Sequence, residues 1–555
     1  MKFNYKKTIK VGLAFAIIMV FWTMYDYVVP LLLENTFGLS NSMRGLIMGL
    51  DNLLSLFMLP LFGKISDKAV TKYGKRTPFI FLGTLAAVVL MVFVPVSSLT
   101  QLNKATSLRD EIIHTERVDY VYTDSKNVQF NAEQLYSMLY DKGIENSDYC
   151  DHQYLKTNNI NSKEAYLKIA LSGRVGDGII TTEYNKFVQS GIDNYASDEV
   201  QEKITKHNPA TIAIYMVILF FVLVAMATFR SPAVALMPDV TPKPLRSQAN
   251  AMINLVGGAG GAIAFIIYTI VLGFNPTNYV LVFILTAAAM LLLLAAFLKL
   301  VKEAKLVAEC EKICTEYGIS DSDVDEDTPA LDVDNSEETV RKARFRSFIF
   351  ILASIFMWFM GYNAVTTNLS IYMTTSLNLE PSMGGLVNGI SMGISAIAFI
   401  PVGYLAVKIG RRKSIIIGFC LAILSFILIF LFASNPSSYV AILFTIFYLL
   451  SGFGLIIANV NTFPMVVELS AKNTIGKYTG WYYTATMSAQ AITPFLVGLI
   501  MDALGNKFLF LYSPVCVVIA IIFMVLVKHG DSKPIPKEKK INLDVQNENS
   551  ESGGV

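Results

Sequence analysis

RGLIMGLD, from Arg44 to Asp51, returns 340 residues later as GGLVNGIS, from Gly384 to Ser391, and the same offset carries Gly63 onto Gly403. An offset of 336 lays Gly74-Lys75-Arg76 on Gly410-Arg411-Arg412 and Trp22 on Trp358. Farther along, PDVTPK from Pro238 resembles VELSAK from Val467 and pairs Asp239 with Glu468 at an offset of only 229. A chain that matches itself over such a distance holds two copies of one unit. The drop from 336 to 229 means that the first copy gained 107 residues between Arg76 and Asp239.

The polar stretch from Ser98 to Asn208 holds 111 residues, whereas its counterpart from Ser434 to Ser438 holds five, so the gain lies there. Around it the chain is apolar. It is 54% hydrophobic and 16% charged, against about 25% charged residues in soluble domains. The apolar residues fall into twelve runs near 11–33, 45–63, 77–97, 209–229, 248–273, 278–300, 347–372, 383–405, 414–433, 439–463, 479–501 and 508–528. Each is long enough to cross a hydrocarbon core of about 30 Å as a helix. Helices satisfy their own backbone groups where lipid cannot, and the alternating segments of a membrane barrel are absent.

The expected fold is therefore an all-α integral membrane protein with twelve transmembrane helices in two pseudo-symmetric six-helix bundles, the internal duplication common in secondary transporters. Residues 1–97 and 209–300 form the first bundle and 347–528 the second. The insertion is 98–208, an acidic linker spans 301–346, and 529–555 is a tail. Basic residues favour the cytoplasmic side. Lys2, Lys6, Lys7 and Lys10, then Lys64, Lys68, Lys72, Lys75 and Arg76, then Lys408, Arg411, Arg412 and Lys413, and finally the tail, put both termini in the cytoplasm of a cell membrane. The short outer loops offer only Arg44 and Lys507. The first run is too long for a cleaved signal and lacks a small-residue cleavage pattern.

Several function classes are excluded. A net charge of +2 implies no nucleic-acid partner. Five cysteines, at 150, 310, 314, 420 and 516, make no disulfide framework, and Cys310 and Cys314 lack a histidine for zinc. The linker stretch DSDVDEDTPALD, Asp321 to Asp332, half-matches a calcium loop, but Glu326 stands at the glycine and Asp332 at the closing glutamate, so it reads as a solvated acidic segment. Gly74-Lys75 and Gly476-Lys477 lack the first glycine and the following Ser or Thr of a phosphate loop. His114, His152, His207 and His529 all fall outside the helices. No enzyme constellation, metal site or cofactor is implied.

The polar residues inside the runs are the candidate site. An aspartate at a helix centre costs up to about 3.5 kcal/mol to insert, so it lines a cavity or pairs. Asp26 is eight residues before Glu34 and Asp51 seven after Arg44, which puts both about 10–12 Å below the outer surface. Trp22 and Asp26 share a helical face with Tyr25 beside them, as do Asp51 and Ser55. Carboxylates beside aromatic rings suit a sugar, and a carboxylate in low dielectric is a natural proton carrier. Asn254, Trp358, Tyr362, Asn363, Asn368, Asn459, Asn461 and Gln490 are further cavity candidates, while amides also serve as interhelical glue. Asp67, Arg76, Arg230, Asp239, Glu468 and Arg411 lie near inner helix ends and are the gate candidates. Gly257 to Gly261, GGAGG, reads as close helix packing.

GKISDKAVTKYGKRTPF (Gly63 to Phe79), FRSPAVALMPDVTPKPLRSQANA (Phe229 to Ala251) and GYLAVKIGRRKS (Gly403 to Ser414) resemble the major facilitator superfamily, in particular its glycoside-pentoside-hexuronide cation symporters and sucrose-type proton symporters. The resemblance covers nearly all of the chain except the insertion, linker and tail. It implies that the carboxylate of Asp67 docks at the start of a helix in the opposite half, here the run beginning near Thr479. Val407 stands where that acid would repeat. Melibiose-permease-like members hold sodium with helix-2 acids just before a proline and four residues earlier; this chain has Leu59 and Ser55 there, ahead of Pro60. Protons carried by Asp51, with Asp26 as helper, are favoured instead.

The resulting expectation is a transporter that imports a sugar or glycoside with a cation, a proton before sodium, by alternating access. The same fold would also serve a drug or metabolite exporter. A third reading is a membrane sensor with 98–208 as its ligand domain.

Overall fold

The computed structural model describes residues 4–117, 119–175, 179–242, 246–316, 338–387, 389–390, 409–433, 439–467, 469 and 475–529. Eleven helices among the described residues are long and apolar enough to cross a membrane. The expected run at 383–405 is described only in part, as helix over 381–387 (α14) and at 389–390.

The first three helices are α1 (Tyr5–Phe37), α2 (Asn41–Asp67) and α3 (Thr77–Ile113). The Asn4 side chain caps α1 by accepting from the Lys7 N–H, and α1 stops where Gly38 turns to φ 61°. Pro78 in the first turn starts α3, which continues well past Ser98 into the insertion. There follow two short hairpins, β1 (Tyr122–Thr123) with β2 (Gln129–Phe130) and β3 (Arg174–Val175) with β4 (Ile179–Ile180). They alternate with α4 (Ala132–Lys142), α5 (His152–Thr157), α6 (Lys163–Ser172), α7 (Thr182–Phe187) and α8 (Gln189–Val200), and a π turn at Gln201–Thr205.

The chain returns through α9 (Pro209–Asp239), α10 (Arg246–Phe274) and α11 (Tyr279–Leu300), then the amphipathic linker helix α12 (Glu303–Glu316). The second half comprises α13 (Glu338–Ile371), α14, α15 (Arg411–Phe432), α16 (Val440–Val467), α17 (Ile475–Leu504) and α18 (Leu509–Leu526). Phe57, Val217, Leu292 and Ile522 are among many large apolar side chains left exposed on these helices. Such a surface is stable against hydrocarbon and not against water.

The distribution of buried side chains shows where the halves meet. One apolar cluster passes from Phe21 and Val28 of α1 into Leu369 of α13, Phe426 of α15, Phe444 of α16 and Met501 of α17. These second-half residues lie toward the insertion. The part of the second half toward the opposite end, with Ile351, Phe419, Val466 and Val517, forms a separate cluster.

Close approach at the insertion end depends on glycine. A Cβ on Gly45 or Gly49 of α2 would overlap the carbonyl oxygens of Pro494 or Ala491 on α17, and one on Gly498 would overlap the Asn41 backbone. Likewise Gly385 abuts Tyr268 and Thr269 of α10, and the Tyr27 hydroxyl donates to the Pro381 carbonyl at 2.6 Å. Gly257 and Gly260 let α10 lie against Phe15 and Ala16 of α1, the packing expected of the GGAGG stretch.

Candidate functional site

Asp26 is exposed although its chain neighbours Met24, Tyr25, Tyr27 and Val28 are all buried. From Val11 to Phe37, α1 is thus exposed at this one carboxylate. The groups facing it are Asp51 of α2, Arg230 of α9 and Tyr362 of α13. Arg230 lies against the indole of Trp22 at 5.1 Å and faces Asp51 and Tyr483 of α17 as well. Asp51 accepts from the Asn52 side chain at 2.8 Å. Two carboxylates and one guanidinium, with aromatic residues of both halves, are therefore within electrostatic reach of one another. An arginine over an indole gains cation–π attraction worth about 0.5–2 kcal/mol.

Trp22 meets Tyr25 edge-on at 5.4 Å, and Tyr25 stacks on Phe21 at 5.6 Å. The Trp22 Nε1 and the Tyr25 hydroxyl are buried without a hydrogen-bond partner among the described residues. Ser55 is buried on α2, Gln490 is half-buried on α17 and Asn254 is exposed on α10.

Other expected cavity residues stand elsewhere. Trp358 is 1% exposed and packs on Phe419 at 5.0 Å and Tyr362 at 6.0 Å, so it belongs to the core. Asn368 and Asn461 are buried and donate back into their own helices, to the Ala364 and Ile457 carbonyls at 3.0 and 2.7 Å. Asn363 donates to the Gln490 carbonyl at 3.0 Å and ties α13 to α17. Amides are cheap enough to bury that a chain uses them as fasteners. The side chain of Asn459 lies outside the described residues.

Arg230 was expected at a helix end among the gate residues. It stands instead within α9, which runs on through Pro232 to Asp239. The apolar run ends at Phe229, but the helix does not, because a proline near a helix end costs little when its neighbours supply the packing. Tyr483 was not singled out in the sequence, since an exposed tyrosine on an apolar helix has no distinguishing pattern.

At the end away from the insertion, Arg76 gathers the loop after α2. Its Nε donates to Asp239 at 2.8 Å, its Nη2 to Asp67 at 2.5 Å and its Nη1 to Ser66 at 2.5 Å. The expected docking place of Asp67 on the opposite half, near Thr479, has its side chain outside the described residues; among the described residues the Asp67 carboxylate pairs with Arg76 of its own half, and its side chain is 61% exposed. The Asp67 end is the one where the second half keeps its own separate core. Glu303 of α12, which the sequence did not distinguish from other linker acids, organises the same loop. It accepts from the Lys75, Arg76 and Thr77 N–H groups at 2.7, 2.9 and 2.7 Å and from the Thr77 hydroxyl at 2.7 Å. Arg411 opens α15, and its neighbour Arg412 donates to the Met524 and Val525 carbonyls at 3.2 and 2.5 Å. Glu468, Val407 and the acidic stretch 321–332 lie outside the described residues.

Residues 207–467 and 351–549 match the Major Facilitator Superfamily, together more than half of the chain. The chain belongs to the major facilitator superfamily. Residues 11–104 also match the family described as MFS/sugar transport protein. No curated protein matches this facilitator in sequence. Among solved structures it is similar to a D-xylose–proton symporter, with 13% identity, 96% of this chain and 100% of that chain covered, and a TM-score of 0.56. The inward-open xylose transporter XylE from E. coli follows at 12% identity, 98% of both chains covered and a TM-score of 0.52. A bacterial homologue of the iron transporter ferroportin, inward-facing, gives 14%, 95% and 100%, and 0.52. At these identities the likeness establishes the fold. The protein is a multi-pass membrane transporter of a small molecule and not an enzyme.

Proposed function

We propose that this facilitator imports a sugar or glycoside together with a cation, a proton in preference to sodium, by alternating access between residues 1–97 with 209–300 and residues 347–528. In this reading both termini are cytoplasmic, 98–208 is extracellular and 301–346 is a cytosolic linker. The observation that carries it is the accessible Asp26 carboxylate within electrostatic reach of Asp51, Arg230 and Tyr362, with Arg230 over Trp22.

The charge balance of this group supports coupling. With both acids ionised the two carboxylates and one guanidinium sum to −1, which is costly to carry through a closed, low-dielectric state. One proton brings the sum to zero. A protonated acid also weakens the electrostatic hold on Arg230, whose N–H groups, with the remaining carboxylate and the tyrosine hydroxyls, match the donors and acceptors of a polyol. The indole and phenol faces take its C–H surface.

The test is uptake of radiolabelled sugars into proteoliposomes under an imposed proton gradient and then a sodium gradient. Accumulation should follow the proton gradient, and Asp51→Asn, which leaves the group neutral without a proton, should lose uphill accumulation while keeping passive exchange. Undiminished accumulation by Asp51→Asn would overturn the assignment.

A further inference from the structure

The insertion has a core of its own. Tyr122, Leu135, Tyr136, Tyr166, Tyr184 and Ile192 are buried together. Glu199 ties it further by accepting from the Tyr122 hydroxyl at 2.7 Å and from Ser125 at 2.8 and 2.9 Å. Thr115, Tyr136 and Tyr184 form a hydroxyl chain at 2.5 and 2.8 Å. Buried, satisfied networks of this kind make a body that moves as one piece.

Its attachment to the first half is deep. Helix α3 runs unbroken from the bundle into it. Gln101 donates to Thr205 at 2.8 Å, and Thr205 donates to the Phe37 carbonyl at 2.8 Å. Arg109 donates to the Glu34 carbonyl and the Ser197 hydroxyl at 3.1 and 3.0 Å. Gly38, at φ 61°, presses on the Ser197 carbonyl, where a Cβ would not fit.

Its contact with the second half has another character. Asp148 accepts from the Asn506 N–H at 2.7 Å, Asp151 pairs with Lys507, and Ser147 donates to the Leu504 carbonyl at 3.2 Å. Asn378, just after α13, donates to the Asn185 carbonyl at 2.8 Å. Among the described residues these hydrogen bonds and ion pairs reach the segment following α13 and the end of α17 with its loop to α18, where Asn146 also donates to the Asp502 carbonyl at 3.4 Å. Each hydrogen bond of this type is worth about 0.5–1.5 kcal/mol net, so the joint is reversible where the attachment to the first half is not.

We propose that the insertion is a clasp: carried rigidly by the first half, it grips the 378 and 504–507 loops of the second half while the insertion end is closed and lets go of them each time that end opens. This rests on the alternating-access reading above. The clasp adds to the α2–α17 and α10–α14 contacts and so biases the cycle toward the state closed at the insertion end.

The test uses the full chain in nanodiscs, with Cys314 and Cys420 replaced by serine, and needs no substrate. Spin labels at Phe274→Cys and Tyr439→Cys, both largely exposed and on different halves at the insertion end, report its opening. A second pair, Val70→Cys and Lys413→Cys, reports the opposite end. Lys507→Asp, which turns the attraction to Asp151 into repulsion, should raise the long-distance fraction of the first pair about fivefold. The double exchange Asp151→Lys with Lys507→Asp, which restores the attraction but gives up the Asp151 cap of α5, should return it most of the way to the starting distribution. An unchanged first pair in Lys507→Asp, while the second pair still samples two distances, would overturn the clasp alone. Both pairs fixed at one distance in every variant would overturn alternating access and the clasp with it.

Discussion

The carboxylate of Asp502, at the C-terminal end of α17, accepts from the backbone N–H groups of Asn41 and Ser42, at 2.7 and 2.9 Å, and so caps the N-terminus of α2 from the other half of the molecule. A carboxylate at a helix N-terminus is favoured both by the free N–H groups and by the helix dipole, by about 0.3–1 kcal/mol and up to roughly 2 when partly buried. Asp67, at the other end of α2, was expected to do the same for α17. The insertion end realises that relationship with the roles of the helices exchanged. Asp502→Ala should favour opening there roughly tenfold. The check is the rate at which a membrane-impermeant maleimide, added from the insertion side, alkylates Ser55→Cys; a rate unchanged by Asp502→Ala would remove the interhalf role.

The approach that permits this cap needs Gly49. Its position faces the Ala491 carbonyl with no room for a side chain. Gly49→Val should therefore prevent α2 and α17 from closing, and the Phe274/Tyr439 label pair should lose its short distance. Retention of that distance would mean that the helices slide to accommodate the side chain.

Glu303 holds four donors at the start of α3 and is 2% exposed. Glu303→Gln turns an all-acceptor group into one that is half donor and leaves buried N–H groups unpaired, at a cost of about 1–3 kcal/mol. A lowered thermal midpoint is the expected outcome, and Arg76→Ala, which instead frees Asp67 and Asp239, should lower it less because Asp67 can turn to water.

The two halves were legible because a duplicated chain keeps its spacing: Trp22 with Trp358 and Asp239 with Glu468 give the repeat and the insertion without any coordinates. Asp26 and Asp51 stood out because lipid penalises acids. Arg230 was misplaced by hydropathy, which marks where apolar residues stop and not where a helix does. Asn368 and Asn461 were over-read, since composition cannot distinguish an amide facing a chamber from one bonded to its own helix. Asp502, Glu303 and Asp148 left no trace because each works by accepting main-chain N–H groups from residues 41–42, 75–77 and 506. Backbone donors are present in every sequence and identify no partner.

Asp148 makes the clasp sensitive to pH. Burial between the insertion and the second half pushes its carboxyl up from 3.8 to about 7; the Asn506 N–H and Lys507 pull it down, while Asp502 and Glu34 push it farther up. Once the insertion lets go, Asp148 gains water and its carboxyl falls back toward the ordinary carboxylate value near 3.9. The docked form thus holds the proton more tightly than the released form. Docking is strongest below about pH 4 and weakens as pH rises toward 7, by up to about tenfold per unit, and is level above that. The Phe274/Tyr439 label pair should accordingly show more of the long distance at pH 8 than at pH 5. Asp148→Asn, which keeps an acceptor for the Asn506 N–H but cannot ionise, should stay docked at both. The same rise with pH in Asp148→Asn as in the unchanged chain would assign the effect to another group, the acids Asp26 and Asp51 first among them.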